Sequence, residues 1–478
     1  MANKTIQRAL LWALLLLAGL LAFAMIAVVA LGIPRNASGM AAKGVCSAAF
    51  VAGRAWQNLL ADDVLPASPA LAPISIQVDT SAKTVTARFA GLFARTARLV
   101  PDRGCVLDLD PAPTPAATGT SRPPAPGLQP WPAGDAPLPP DQWGMGVDGN
   151  ALQKLAQDTF TGAGDPQRAN ARAMAIVHKG RLLVLRTAPG FEPSTPLHGW
   201  SMTKTVAGML GYKLAIDSGL AFDTPVVDAF AGKRGEPAWL GAWRGDTRRS
   251  IKVSDLFYMR DGLSNTEDYD PWGSVPRMLW GHADAPAFAA AAKPEAAPGA
   301  RWRYLSQTAN LLAAVDRYRL GSDAEYWAYP AKALFGPIGA TTAVLESDTA
   351  GHWVASSYLW ASVGDWARFG QLMLADGRWG TQQVLPPGWL AFAMAQSTAQ
   401  GEGRGYGAHT WRIGDPDSGE CKGYGLPADT IAMSGHWGQV LAMVPSREAV
   451  IVRMGWTFRR KQFDSCAFVA AALKALPH

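Results

Sequence analysis

The sequence predicts an α/β fold of the α+β type: one antiparallel sheet built from both ends of a large domain, flanked by helices, with a helical subdomain inserted. Three observations carry that expectation. Apolar runs of strand length occur early, at Ala173 to Val177 and Leu182 to Leu185, and again late, at Thr430 to Ser434, Val440 to Val444 and Ala449 to Met454. Between them, to about residue 345, lies a long helix-rich stretch punctuated by Pro and Gly. Ahead of all this stands an apolar run of membrane-spanning length, expected as an N-terminal transmembrane helix.

That run comes first in chain order. Lys4 and Arg8 precede uncharged apolar sequence from Ala9 to Ile33, longer than the apolar core of a usual secretory signal peptide. Residues 1–8 are therefore expected as a cytoplasmic tail and 9–33 as an uncleaved anchor, with the rest of the chain exported. Arg35 and Lys43 on the far side weaken the charge bias that sets this orientation. Cleavage near Ala37-Ser38-Gly39 is the alternative. Residues 41–108 hold two alternating stretches, Ile74 to Val78 and Thr84 to Phe89, and read as a small β-containing module. From 111 to 140 about a third of the residues are proline, the composition of a stiff, core-less spacer. The large domain then occupies 141–478.

Within that domain, His178-Lys179-Gly180-Arg181 separates the first two strand runs as a hairpin turn would. A helix is expected from near Ser201, with Val206, Met209, Leu210, Tyr212, Leu214 and Ala215 available to the core and Gly219 near its end. An apolar helix over Cys466 to Leu476 closes the chain.

Composition narrows the function classes. The 478 residues are 49% hydrophobic and 17% charged, which suits a large buried core. A net charge of +6 spread over scattered Lys and Arg leaves no nucleic-acid footprint. Four cysteines fit an oxidising compartment and allow three pairings, of which Cys46 with Cys105 and Cys421 with Cys466 is the most parsimonious. No Cys-x-x-Cys or clustered His pattern suggests a metal, and no cofactor is expected.

The chemistry concentrates in three short motifs. Gly199-Trp200-Ser201-Met202-Thr203-Lys204 sets a serine and a lysine three residues apart at a helix start, on one face of the helix. A serine hydroxyl needs a base to become a nucleophile, and a lysine whose pKa is lowered by burial can be that base. Tyr304-Leu305-Ser306 supplies a phenol and a hydroxyl that can share the proton or bond the lysine. Ser434-Gly435-His436-Trp437-Gly438-Gln439 sits between two strands, where glycines let a ligand approach a backbone N–H.

In this order and spacing, the three motifs resemble the penicillin-recognising serine hydrolases: class C β-lactamases, D-alanyl-D-alanine carboxypeptidases, esterases and 6-aminohexanoate-dimer hydrolases. The resemblance spans roughly residues 145 to 478. It is nearest to the last branch in the Gly199 to Lys204 segment, in Glu267-Asp268-Tyr269-Asp270-Pro271 and in the element from His436 to Gln439. It implies that Ser201 attacks a carbonyl, that Lys204 and Tyr304 move its proton, and that the backbone N–H groups of Ser201 and Gln439 form the oxyanion hole. Ser306, His436 and Asp268 fall at substrate-binding positions.

His436 stands where β-lactamases and peptidases carry a lysine that helps receive a substrate carboxylate, and Ser306 replaces an asparagine. Both departures favour esterase or amidase action on a small substrate over β-lactamase action. A 6-aminohexanoate-like amide, held at its amino end by Asp268, is the narrower expectation. A cell-wall carboxypeptidase or β-lactamase, and a non-catalytic envelope ligand-binding module, are the alternatives. The expected location is the bacterial inner membrane, single-pass, with the large domain in the periplasm or outside the cell.

Overall fold

In a sheet covered on both faces, alternate residues of every strand feed two different cores, and the late and early apolar runs do this together. The computed structural model describes residues 2–109, 129–161, 170–230, 235–397, 405–459 and 462–477. After the N-terminal helices α1 (Ala2–Ala30) and α2 (Ile33–Cys46) come four strands, β1 (Ile74–Asp79), β2 (Thr84–Phe89), β3 (Phe93–Val100) and β4 (Gly104–Leu107). The large domain begins with α3 (Gly149–Thr161), β5 (Ala171–His178), β6 (Arg181–Thr187), β7 (Leu197–His198) and α4 (Met202–Asp217). The helical insertion includes α5 (Ser274–Gly281) and α6 (Ser306–Arg319), followed by β8 (Val344–Leu345), β9 (Leu359–Ala361) and α7 (Val363–Leu374). The chain ends with β10 (Ile431–Gly435), β11 (Gln439–Val444), β12 (Ala449–Gly455) and α8 (Ser465–Lys474).

The main sheet is five-stranded and antiparallel, in the order β10-β11-β12-β5-β6, so the C-terminal strands join the N-terminal hairpin through β12 and β5. Lys179 (φ 50°) and Gly180 (φ 70°) make the tight turn between β5 and β6. Ala173, Ala175, Val177, Leu441, Met443, Val450 and Val452 face a core shared with α4 and α7. Met174, Ile176, Ala442, Val444, Ala449 and Ile451 face a second core under α3 and α8. A smaller three-stranded sheet, β7-β9-β8, carries the chain into α4. Disulfides join Cys46 to Cys105 and Cys421 to Cys466.

Two N-terminal expectations meet a different structure. Helix α1 stops at Ala30, and Gly32, at φ 72°, breaks the chain before α2 begins at Ile33. Among the described residues, no helix is long and apolar enough to cross a membrane, so the structure does not support the expected transmembrane helix. Nor is the described part of the proline-rich stretch, residues 129–140, without packing. Leu138 N–H bonds Leu182 carbonyl at 2.8 Å, and buried Arg368 pairs with Asp135 at 2.6 Å while reaching the carbonyls of Pro132 and Gly134.

The module of β1–β4 and α2 packs on the large domain through a polar knot. Glu346, fully buried, accepts from Ser47 Oγ at 2.9 and 3.0 Å, from Cys105 N–H at 2.7 Å and from Trp360 Nε1 at 3.1 Å. It pairs with Lys43 Nζ at 3.0 Å, and Lys43 also donates to the Cys105 carbonyl. Around the knot, Ala41, Val45, Val85 and Cys105 share one apolar core with Trp200, Met278, Trp280, Trp360 and Trp456. A second buried pair, Arg172 with Asp63, lies nearby, and Trp456 Nε1 donates to the Asp63 carbonyl at 2.9 Å.

Candidate active site

The turn at Ser201 is a forced one. Strand β7 pairs with β9, and Gly199 N–H continues the pairing to the Leu359 carbonyl at 2.9 Å. Trp200 then adopts φ 49°, a left-handed value rare for a bulky side chain, and the chain reverses into α4 with Ser201 at the N-cap position. Gly199 has to be glycine, because a Cβ there would run into the Trp366 indole. Behind the turn, His198 is stacked between Tyr358 and Trp360, with ring centroids 5.1 and 4.7 Å away. Burial pulls its pKa down to about 3, so this imidazole is a neutral packing element.

One helical turn later, Lys204 is 1% exposed and its Nζ has three oxygen neighbours: Ser201 Oγ at 2.9 Å, Ser306 Oγ at 3.0 Å and the Ser356 carbonyl at 3.1 Å. It lies 4.7 Å from the centroid of the Tyr304 ring and 4.0 Å from Glu267 Oε1. Burial drives the ammonium down to about 8, with the Glu267 carboxylate opposing that fall. Tyr304, partly buried, is pushed well up by desolvation and by Glu267, while its hydrogen bond with the Ser201 side chain pulls the other way.

Ser306 opens α6, and Asn310 on the same helix face, one turn on, holds the Ser356 backbone through a 3.2 Å bond from Ser356 N–H. The Ser306 hydroxyl donates to Glu267 Oε1 at 2.7 Å, and the Ser306 N–H, unpaired within the helix as first-turn amides are, donates to Glu267 Oε2 at 2.5 Å. Tyr269 also hydrogen-bonds the Ser306 side chain.

Ser201, Lys204, Tyr304 and Ser306 are thus brought together. The other three expected site residues are placed as follows. His436 stacks on Tyr269 at 4.6 Å and meets the edge of Trp200 at 5.3 Å, next to the Ser201 turn. Gln439 stands across the hairpin from Gly435, buried, with its side chain tied to Gly455 by bonds of 2.5 and 2.8 Å. What abuts the Ser201 turn is the end of β10, where a Cβ on Gly435 would collide with the Gly199 carbonyl. Asp268 faces its own loop: Oδ2 accepts from Thr266 Oγ1 at 2.7 Å and its other oxygen backs onto Gly273. It lines a cleft of about 580 Å³ with Asn265, Trp272 and Arg277.

Glu267, Tyr269 and the Ser356 carbonyl were not foreseen in these positions. Glu267 was readable only as part of the segment that drew attention to Asp268, and a carbonyl acceptor has no sequence signature at all. Among the described residues, no group of three His, Cys, Asp or Glu side chains is gathered as a metal site would need.

A half-buried serine paired with a buried lysine at a helix start beside an antiparallel sheet, joined by a tyrosine and a serine from an inserted helical region, defines the serine hydrolases of the β-lactamase fold. The chain belongs to the β-lactamase family, whose profile matches residues 156–473. Among solved structures, a penicillin-binding protein homologue from Caulobacter crescentus is 16% identical at TM-score 0.51, covering 69% of this chain and 99% of that one. A family VIII carboxylesterase is 14% identical at TM-score 0.52, covering 69% and 98%. A Bacillus anthracis protein proposed to be a 6-aminohexanoate-dimer hydrolase is 19% identical at TM-score 0.50, covering 68% and 83%. At these identities the likeness is one of fold. No curated protein matches the chain.

Proposed function

We propose that the protein is a serine hydrolase that cleaves a small ester or amide through an acyl-enzyme on Ser201. The observation that carries this reading is the coordination of Lys204. A neutral amine has two N–H donors and one lone pair. The Ser356 carbonyl can only accept, and Ser306 spends its own proton on Glu267, so both are acceptors for Lys204. The lone pair is left facing Ser201 Oγ at 2.9 Å, the geometry of a general base. Burial brings the neutral amine within reach at ordinary pH, while Tyr304 stays a phenol.

In this mechanism Lys204 takes the Ser201 proton as Oγ attacks the carbonyl, and the tetrahedral oxyanion is met by the Ser201 N–H and by an N–H of the turn from Gly435 to Gln439. Tyr304 bonds Oγ, gives its phenol proton to the leaving group and takes in exchange the proton Lys204 holds, so that neutral amine and phenol are restored and the pair can activate water to release the acyl group. Ser306 acts on Lys204 rather than on substrate. The stacking of Tyr269 on His436 gives the site an aromatic wall where an anion-binding lysine would stand, which favours an uncharged acyl group. A 6-aminohexanoate-like amide is the narrower form of the proposal.

The inner-membrane, outward-facing location also belongs to this proposal. It is supported by the apolar side chains of α1, with Leu10, Leu14, Leu17 and Phe23 all exposed. Recovery of the full-length protein in the soluble fraction after cell lysis would argue against it.

Intact-mass analysis of the full chain after a fluorophosphonate probe, with the modified peptide sequenced, tests the core of the proposal. A single adduct on Ser201 supports it. No adduct on folded protein would instead favour a non-catalytic binding module. Unlabelled enzyme is then offered esters, amides, the 6-aminohexanoate dimer, a β-lactam and a D-alanyl-D-alanine peptide. Release of D-alanine would move the assignment to a cell-wall carboxypeptidase.

A further inference from the structure

The Ser306 hydroxyl has one proton and two lone pairs, and every one of them is committed. The proton goes to Glu267 Oε1 at 2.7 Å, Lys204 Nζ approaches a lone pair at 3.0 Å, and Tyr269 bonds the same side chain. The second Glu267 oxygen takes the Ser306 N–H at 2.5 Å. A carboxylate can accept both bonds, and no other side chain of that size can. Neither oxygen is aimed at Ser201, and the Lys204 contact is long, at 4.0 Å. Glu267 therefore touches neither nucleophile nor carbonyl, yet it sets the direction of the hydroxyl that holds the lysine.

We infer that Glu267 is a positioning residue for acyl transfer: by drawing the Ser306 proton to itself it fixes Ser306 as an acceptor, so that the Lys204 lone pair can point only at Ser201. The inference rests on the acyl-enzyme reading above. Its chemistry is specific to the carboxylate. In Glu267→Gln the single amide oxygen can serve only one of the two Ser306 donors. Serving the hydroxyl would set the amide NH₂ against the Ser306 N–H, donor against donor. The oxygen therefore takes the backbone N–H, the NH₂ donates to Ser306 Oγ, and the hydroxyl proton turns towards Lys204 and occupies its lone pair.

Glu267 also carries the charge closest to Lys204. The titratable groups facing the lysine are Glu267, Tyr304 and His409, whose Nδ1 lies 2.9 Å from the Lys204 carbonyl, with Tyr269 and Tyr406 behind them against Glu267 and Tyr304. Of these, only Glu267 acts to raise the lysine's pKa. Its loss therefore moves the acid limb of the pH profile to lower pH at the same time as the plateau falls.

The test is the rate of fluorophosphonate labelling of Ser201 in the full chain, followed by intact mass from about pH 6 to about pH 10, a range that brackets the base. The proteins are wild type, Glu267→Gln, Glu267→Asp, Ser306→Ala and the Glu267→Gln/Ser306→Ala pair. Glu267→Gln should lower the plateau about 100-fold, the lower end of what a general base supplies, and shift the midpoint downward. Ser306→Ala should lose about tenfold with the midpoint held, because the carboxylate remains. The double variant should be no slower than Ser306→Ala plus the midpoint shift, since no misdirected hydroxyl is left. Glu267→Asp, which keeps both oxygens, should keep the wild-type midpoint even if the plateau drops.

A Glu267→Gln protein with the wild-type midpoint and plateau would overturn the inference, as would a double variant as slow as the product of the two single losses. Absence of any Ser201 adduct in wild type would instead overturn the hydrolase reading. If Glu267→Gln does not fold, Ser306→Ala decides by itself: a midpoint that moves with Glu267 intact removes the basis of the argument.

Discussion

Replacing Glu346 by Gln should be among the most damaging single changes in the chain, although Glu346 belongs to no catalytic motif. The carboxylate is fully buried and receives Ser47, Cys105 N–H, Trp360 Nε1 and Lys43. Removing one partner of a buried ion pair leaves the other charge uncompensated, a cost of about 3–5 kcal/mol. Gln keeps one acceptor oxygen but turns the other into a donor, so at least one of the remaining N–H or O–H groups loses its partner at about 1 kcal/mol or more. The expected destabilisation is about 4–6 kcal/mol, a large part of the roughly 5–15 kcal/mol that holds most proteins folded. Lys43→Met in the same background removes the stranded ammonium. The double variant should therefore be more stable than the sum of the two single losses by at least about 1 kcal/mol. Urea unfolding of the full chain, followed by tryptophan fluorescence, measures each value. A Glu346→Gln protein within about 1 kcal/mol of wild type, or strict additivity with Lys43→Met, would refute the view that this knot is what holds the module in place.

Three further outcomes follow from the site. Ser201→Ala should abolish probe labelling and turnover while leaving the unfolding transition unchanged, and turnover surviving in that variant would remove the acyl-enzyme. Wild-type turnover of a neutral ester should rise with pH, because the working form of Lys204 is the unprotonated one and its ammonium is pulled down to about 8. From about pH 7 to about pH 9 the neutral fraction grows roughly tenfold, and a pH-independent rate over that span would exclude Lys204 as the base. Gly199→Ala places a methyl group against the Trp366 ring, and such overpacking typically costs about 1–3 kcal/mol. Labelling of Ser201 should fall sharply even where circular dichroism reports an intact fold.

Much of the large domain was legible because its strands are buried on both faces and therefore read as apolar runs. β5, β11 and β12 fall where Ala173 to Val177, Val440 to Val444 and Ala449 to Met454 were expected, each extended by a residue or more. α4 was equally plain, since Gly219 (φ 66°) closes it as a left-handed C-terminal residue does. The two-residue and three-residue strands β7, β8 and β9 were invisible, being too short for any alternation to show. In the site, Ser201, Lys204, Tyr304 and Ser306 were readable because their spacing is local or their motif is short. Glu267 and Ser356 join them only through the fold, from 39 residues before Ser306 and 152 residues after Lys204. Asp268 was the natural choice in its segment, and the loop geometry turns its neighbour inward instead.

The packing of residues 129–140 and of the module has a topological consequence. Leu109 is buried on one side, and Trp131 lies against Trp379 and under the Arg368 guanidinium on the other. Both flanks of the proline-rich stretch are therefore pinned, and the seat of the module on the large domain is set by the knot at Glu346 rather than by a spacer. Module and large domain should thus unfold as one unit, and a disturbance at the knot should reach the Ser201 turn through Trp200, which shares their common core.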